Sequence, residues 1–285
     1  MLNKLRRRFF SVLAKKYQHP AEPQLVLDNK LLQNKNVLIT GAGRNIGKSI
    51  AVEMAKQGAN IYFTEQDKNR FESLQETLKT YPILTKGFFC DSAQMSAVNQ
   101  LVEELDHLGE TIDILINNAG IQFEKSALKA FDSVDWEKTY NNNIIAPLYL
   151  TKCLTDRMVK AEKSGTILFI TSIHQWHTRG WSSYSSSKAA LGMLVKELAL
   201  ELADKEIRVN GIAPGWVETD ALGQVKSSKY TPLYQCSIPP KYIGRAAVFL
   251  ASDYFSHHTT GSILTVDGGM SLFNFQVAQS FQGRQ

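Results

Sequence analysis

Cysteine is scarce in this chain: Cys90, Cys153 and Cys236 are all it has, an odd number, far apart and with no C-x-x-C pair. Such usage argues against a disulfide framework or a cysteine metal site and is read as reduced thiols in a reducing, cytoplasmic compartment. Long apolar runs are missing as well; none approaches the roughly 18 residues that span a bilayer. There is no internal repeat and no low-complexity tract. Acidic residues are absent before Glu22, and this local absence accounts for the formal net charge of +5: residues 1–34 hold seven basic residues against two acidic ones, and the remainder is balanced at 25 of each. A neutral main body excludes a broad nucleic-acid surface.

What is present is a set of short segments in an informative order. Val37-Leu38-Ile39-Thr40 is a β-prone run, followed directly by Gly41-Ala-Gly43-Arg44-Asn45-Ile46-Gly47 and then by Ile50, Ala51, Met54 and Ala55 at helical spacing. Strand, glycine turn and helix make a dinucleotide-binding unit, because glycines admit a pyrophosphate close to the backbone and the helix start offers free N–H groups. An ordinary turn is the competing reading. Ile112 to Ile116 leads into Asn117-Asn118-Ala119-Gly120, and Gly165 to Ile170 ends at Thr171-Ser172, at the carboxyl end of a buried strand, where open α/β sheets bind ligands. Twelve residues after Ser172 comes Tyr184-Ser-Ser-Ser-Lys188. If 185–203 is helical, phenol and ammonium share one face, and the cation favours the phenolate. Bringing a phenol from a pKa of about 10 to near neutrality takes roughly 4 kcal/mol, which a lysine and a cationic cofactor ring can supply jointly. Taken alone, Tyr-x-x-x-Lys equally describes a plain helix start with a solvated lysine. Strands expected at 37–40, 60–64, 87–90, 112–116, 165–170, 207–210 and 262–266 alternate with helices, which predicts a parallel sheet covered on both faces. With 285 residues, 44% of them hydrophobic, the chain can fill one such domain.

Together with Ile207-Arg-Val209-Asn-Gly-Ile-Ala-Pro214-Gly215-Trp-Val217-Glu-Thr219 and Leu264-Thr-Val266-Asp267-Gly268-Gly269, these segments resemble the short-chain dehydrogenase/reductase family over about residues 35–272. The resemblance implies an α/β fold: a single Rossmann-like doubly wound domain whose seven-stranded parallel sheet runs in the order 3-2-1-4-5-6-7, with an extension at 1–34 and a tail at 273–285. It implies an NAD(P)-dependent oxidoreductase that interconverts a secondary alcohol and a ketone. Tyr184 is then the general acid/base, Lys188 lowers its pKa and holds the nicotinamide ribose, and Ser172 orients the substrate carbonyl, with Thr171 its rival. Asn143 holds a water that continues the proton relay, the competing reading being a surface amide beside Asn141 and Asn142. Cofactor contacts fall on Gly41, Arg44, Asn45, Ile46 and Gly47 in the loop and on Asp91 at the adenine. Asn118, Ala119 and Gly120 follow along the adenosine, and Pro214, Gly215, Val217 and Thr219 surround the nicotinamide amide. No metal is expected. Relatives assemble as homodimers or homotetramers through two long helices, here about 136–160 and 185–203, where Leu191, Leu194, Leu198 and Leu202 make either a seam or a core face.

Three departures from the family pattern stand out. Asn45 replaces a glycine, the stretch from Ser172 to Tyr184 is a residue short, and the lid segment from Thr219 to Pro240 is about ten residues short. Glu65, at the end of the second strand, is placed to accept the adenosine 2′-hydroxyl and repel a 2′-phosphate, whereas Arg44 suits that phosphate; the balance favours NAD, with NADP the alternative. His174, Trp176, His177, Arg179 and Trp181 suit a small-molecule substrate that is polar, such as a sugar, polyol or hydroxy acid, or else face away from the pocket. A 3-oxoacyl or steroid-type ketone reduced by NADPH is the alternative substrate class, and a non-catalytic cofactor-binding scaffold is the alternative kind of function. In residues 1–19, Leu2, Leu5, Phe9, Phe10, Val12 and Leu13 interleave with cations, the pattern of a basic amphipathic helix that makes peripheral membrane contact. A disordered leader and a cleaved transit peptide are the competing readings.

Overall fold

The computed structural model describes residues 30–217, 226–228 and 230–272. Strands β1 (Asn36–Ile39), β2 (Asn60–Glu65), β3 (Thr85–Phe89), β4 (Ile114–Asn117), β5 (Gly165–Ile170), β6 (Ile207–Pro214) and β7 (Ile263–Val266) pair in parallel in the order β3-β2-β1-β4-β5-β6-β7, as the resemblance implied. Between them run helices α1 (Asn45–Lys56), α2 (Lys68–Leu78), α3 (Met95–His107), α4 (Ser133–Tyr140), α5 (Ala146–Lys160), α6 (Ser182–Glu201), α7 (Pro240–Ala251) and α8 (Asp253–Ser256).

Strand periodicity explains why helices must cover both faces. Val37 and Ile39 of β1 point into one core with Ile61, Phe63, Ile116 and Ile170, while Leu38 between them points into the other with Tyr62, Leu115, Ile167 and Phe169. A central strand apolar on both faces reads as an unbroken hydrophobic run and is stable only when sandwiched. The first core is closed by α1, α2 and α7, the second by α3, α5 and α6. Helices α1 and α7 pack closely because Gly244 has no side chain: a Cβ there would lie 2.7 Å from the Ser49 carbonyl oxygen.

Element ends differ from the sequence expectation for identifiable reasons. Strand β6 continues four residues past Asn210, since Gly211 to Pro214 pair with Ile263 to Val266 of β7. Tertiary pairing overrides the local breaking tendency of Gly211 and Pro214. Strand β3 begins at Thr85, as a polar edge strand lacks the apolar run that would announce it. The expected 136–160 helix is two helices joined by a π-turn at Asn141–Ile145. Helix α6 starts at Ser182, so Tyr184 lies inside its first turn.

Candidate active site

Strand order reverses around β1, whose neighbours are β2 on one side and β4 on the other. The loops leaving the carboxyl ends of β1 and β4 therefore diverge and open a crevice, the place where such sheets bind ligands. A cleft of about 1120 Å³ lies there. It is lined by Gly41, Arg44, Asn45, Ile46, Gly47 and Glu65 at one end. Asp91, Asn118, Ala119, Gly120, Pro214, Gly215 and Val217 lie along it, and Ser172, Tyr184 and Lys188 stand at the other end. Thr219 falls outside the described residues.

The glycine loop is built for close approach. Gly41 takes φ +60° and Asn45 φ +45°, so asparagine does support the left-handed turn in place of glycine. A Cβ on Gly47 would lie 2.4 Å from the Gly41 carbonyl oxygen, which seats the start of α1 against the turn. Arg44 precedes that helix with no side-chain cap. The first-turn N–H groups have no intrahelical acceptors, and Arg44, Asn45, Ile46 and Gly47 all line the cleft. That donor set fits a dinucleotide pyrophosphate.

Two supports of this loop were not legible beforehand. Asn118 spends its side-chain amide on the carbonyls of Thr40 (2.9 Å) and Gly41 (3.0 Å), while the Thr40 hydroxyl accepts the backbone N–H groups of Asn118 and Ala119, both at 3.0 Å. The buried Glu65 carboxylate accepts the N–H groups of Gly43 (2.9 Å), Gln66 (3.0 Å) and Asp67 (3.1 Å). Glu65 thus clamps the glycine loop to the end of β2 in addition to lining the cleft. Arg44 is exposed, and Arg70, which the sequence gave no reason to single out, lines the same end.

At the other end, two hydroxyl residues that line the cleft follow β5, and their hydroxyls differ in what engages them. Thr171 donates to the Ile212 carbonyl (2.9 Å) and accepts from Gln175, which ties it into the wall. Ser172 lines the cleft, accepts the His174 backbone N–H (3.2 Å) and acts on the Tyr184 phenol. Burial raises the Tyr184 pKa above its usual value, and only Ser172 works against that. Lys188 is buried, donates to the Ile170 carbonyl (2.8 Å) and is brought down to about 8 by burial. Its ammonium lies 5.7 Å from the Tyr184 ring centroid. Among the protein's own groups, then, burial sets the direction for the phenol, opposite to the depression expected from Lys188, whose ammonium is not among the influences on it.

Asn143 is 1% exposed, which rules out the surface-amide reading. Its amide accepts from the Ile121 N–H (2.9 Å) and donates to the Ile121 carbonyl (3.0 Å) and to Ser187 Oγ (3.0 Å), a hydroxyl that in turn donates to the Tyr184 carbonyl (2.8 Å). Asn143 Oδ1 and Lys188 Nζ both flank Gly120, at 3.1 and 3.7 Å from where its Cβ would be. The neighbouring Asn142, not Asn143, lines the cleft itself.

Of the five unusual residues before Tyr184, His174, Arg179 and Trp181 line the cleft, whereas Trp176 and His177 do not. His174 is buried, stacks on Trp181 at 5.1 Å, meets the Tyr184 ring edge-on at 5.3 Å and holds Ser185 Oγ through Nδ1 at 3.1 Å. Burial first, then Arg179, His177 and Lys188, bring its pKa down to about 4. Cys90 lines the cleft near Asp91, but burial and that carboxylate push its thiol up to about 11, so it is no nucleophile. All three cysteines are free thiols, and the described residues contain no cluster of metal-ligating side chains.

Comparison with known proteins agrees with this geometry. The short chain dehydrogenase family profile matches residues 35–229. The 7α-hydroxysteroid dehydrogenase of Escherichia coli (strain K12) is 35% identical over 253 residues, covering 85% of this chain and 96% of the relative. The 3-oxoacyl-[acyl-carrier-protein] reductase of Aquifex aeolicus is 32% identical over 247 residues, covering 84% of this chain and 98% of its own length. Among solved structures, a 7α-hydroxysteroid dehydrogenase complexed with NADH and 7-oxo glycochenodeoxycholic acid superimposes with a TM-score of 0.77 at 32% identity, covering 86% of this chain and 98% of that one. The fold thus coincides with a family match across most of the sheet: the chain belongs to the short-chain dehydrogenases, oxidoreductases that act on a CH–OH or ketone group with NAD or NADP.

Proposed function

We propose that the protein interconverts an extended ketone, of the 3-oxoacyl or steroid type, and its secondary alcohol, with Tyr184 as general acid/base and NAD preferred over NADP. The observation that carries the reading is the Tyr184 phenol in one cleft with Ser172 and one helical turn from the buried Lys188. The substrate class follows the curated relatives, a 3-oxoacyl reductase and a steroid dehydrogenase. Those relatives favour this class over the sugar, polyol or hydroxy acid suggested by the polar residues before Tyr184, a class that a glucose 1-dehydrogenase, 30% identical, represents among the relatives.

The nicotinamide ring, when bound, exchanges hydride with the carbonyl carbon. The protein's share is proton management and positioning. Ser172 donates a hydrogen bond to the carbonyl oxygen and fixes its place. Tyr184 gives its proton to that oxygen during reduction and takes it back during oxidation. A phenol raised by burial is a reluctant phenolate, so oxidation requires positive charge close to it, and Lys188, whose ammonium lies 5.7 Å from the ring centroid, is positioned to supply it. Asn143 holds the Ile121 backbone and Ser187, and through Ser187 the first turn of α6, keeping phenol and ammonium in register. Its Oδ1 and Lys188 Nζ flank Gly120, at 3.1 and 3.7 Å from where a Cβ would be, and the proton-relay water is assigned to their neighbourhood. Glu65 disfavours a 2′-phosphate because its carboxylate is buried at the adenosine-ribose end and cannot turn into solvent, as the exposed Arg44 can.

The test is turnover of a 3-oxoacyl thioester, a 7-oxo steroid and a keto sugar, each with NADH and NADPH. Turnover of either of the first two with a higher kcat/KM for NADH supports the reading. Activity confined to the keto sugar rejects the substrate class.

A further inference from the structure

The wall before Tyr184 contains a charged group that hydride and proton transfer do not use. Arg179 lines the cleft with its guanidinium 4.9 Å from the Trp181 ring, and among the described residues no carboxylate pairs with it. Stacking on an aromatic face holds a guanidinium in place while leaving its N–H fork free to bind. Trp181 is itself held: it stacks on the buried His174, whose ring is tied to Ser185 and abuts Tyr184. The Trp181 and Tyr184 rings are 6.4 Å apart, so the guanidinium is no farther from the catalytic ring than 6.4 and 4.9 Å laid end to end. A chain of ring contacts therefore sets the distance between a cation and the acid/base.

Basic groups gather around His174. The charged groups that act on His174 are Arg179, His177 and Lys188. Glu124 also lines the cleft but is not among those influences. Lys125, beside it, is engaged by Asp135 at 2.5 Å and adds nothing to the cleft.

We propose that Arg179, seated on Trp181, is a specificity residue that reads an oxyanion on the substrate, a carboxylate or phosphate several bonds from the carbonyl. The inference rests on the ketone reading and adds to it the chemistry of the distal end. A planar fork of donors matches carboxylate and phosphate in bidentate fashion, which a lysine at the same place cannot reproduce.

Binding is measured in the complex of NAD+-loaded enzyme with ketone, where no hydride can pass, so the result does not depend on turnover. The probes are 7-oxo glycochenodeoxycholic acid and a straight-chain oxo acid, each as free carboxylate and as methyl ester, with a phosphate monoester of a hydroxyketone as the second oxyanion. Wild type is expected to bind at least one carboxylate or the phosphate about tenfold more tightly than the neutral counterpart, the worth of one charge-assisted hydrogen-bonded pair. Arg179→Ala is expected to shrink that ratio to about twofold, and Arg179→Lys to leave an intermediate ratio. A wild-type ratio near one for every pair, no binding of any anionic probe, or a ratio that survives in Arg179→Ala overturns the proposal. If the esters are reduced by wild type while no anion preference exists, the inference falls and the ketone reading stands. If anion preference is present without reduction of any ketone, the ketone reading falls instead.

Discussion

Tyr184 sits where burial raises its phenol and only Ser172 works against that, and a single substitution that removes the hydroxyl alone separates proton transfer from everything else the site does. Tyr184→Phe removes the hydroxyl but keeps the ring that packs on His174. Loss of one positioned acid/base group costs about 10²-fold or more in kcat, with cofactor affinity retained; a variant keeping half its activity in steady-state assays contradicts the assignment. Glu65 carries a double load that the sequence did not disclose. Glu65→Ala is expected to raise the ratio of kcat/KM for NADP over NAD. It also orphans the Gly43, Gln66 and Asp67 N–H groups, at about 1–3 kcal/mol for a buried donor left unpaired. A lower melting temperature therefore accompanies the shift, and a wild type that already prefers NADP shows the weighting to be wrong. His174 gives a pH signature. Its pKa falls from 6.5 to about 4 on folding, so between those values the unfolded chain binds the extra proton. Stability is full above pH 6.5 and is lost as pH drops toward 4, by about 2 kcal/mol for a half-screened site. In urea melts across that window, His174→Phe, which keeps an aromatic ring beside Trp181, is expected to fall less steeply than wild type.

Elements meet most tightly where α1 crosses α7. The Gly244 contact leaves no room for a methyl group, since a Cβ would lie 2.7 Å from the Ser49 carbonyl oxygen and 2.9 Å from Glu53 Cγ. Gly244→Ala gains about 1 kcal/mol of helix propensity but forces the helices apart, and overpacking costs typically about 1–3 kcal/mol. We expect a net loss of stability in chemical denaturation; an unchanged or raised midpoint means the crossing yields easily. The leucines of α6 settle an open question at the same scale. Leu191 and Leu198 are buried within the chain, and Leu194 and Leu202 pack against the same core. They form a core face within the chain. The apolar side chains that α6 turns outward are Met193, 56% exposed, and Leu200, 79% exposed.

As a whole molecule, the protein separates a neutral catalytic body from a basic leader. None of the helices in the described residues is long and apolar enough to cross a membrane. Residues 1–19 lie outside those residues, and their six cations among aromatic and aliphatic side chains predict attachment to anionic bilayers, at about 1 kcal/mol per cation near the surface. Full-length protein is expected to co-sediment with anionic vesicles at low ionic strength and to be released by salt, while a chain starting near Leu31 stays in the supernatant with full activity. Equal partitioning of the two removes the membrane role.

The sequence by itself determined what depends on neighbours along the chain. Apolar runs of strand length alternating with helical spacing set the layered fold, the glycine run fixed the turn before α1, and covalent spacing alone put Tyr184 and Lys188 one helical turn apart. Facing direction was settled only in three dimensions, because it depends on partners far away in sequence. Thr171 and Ser172 are adjacent, chemically alike and both line the cleft, yet the Ile212 carbonyl, 41 residues on, takes the hydroxyl of the first. Asn143 is buried because Ile121, 22 residues earlier, and Ser187, 44 later, meet its amide. Glu65 became a clamp through Gly43, 22 residues before it. His174, Arg179 and Trp181 turn to the cleft while Trp176 and His177 do not, a choice made by ring stacking around Tyr184 that no local pattern encodes.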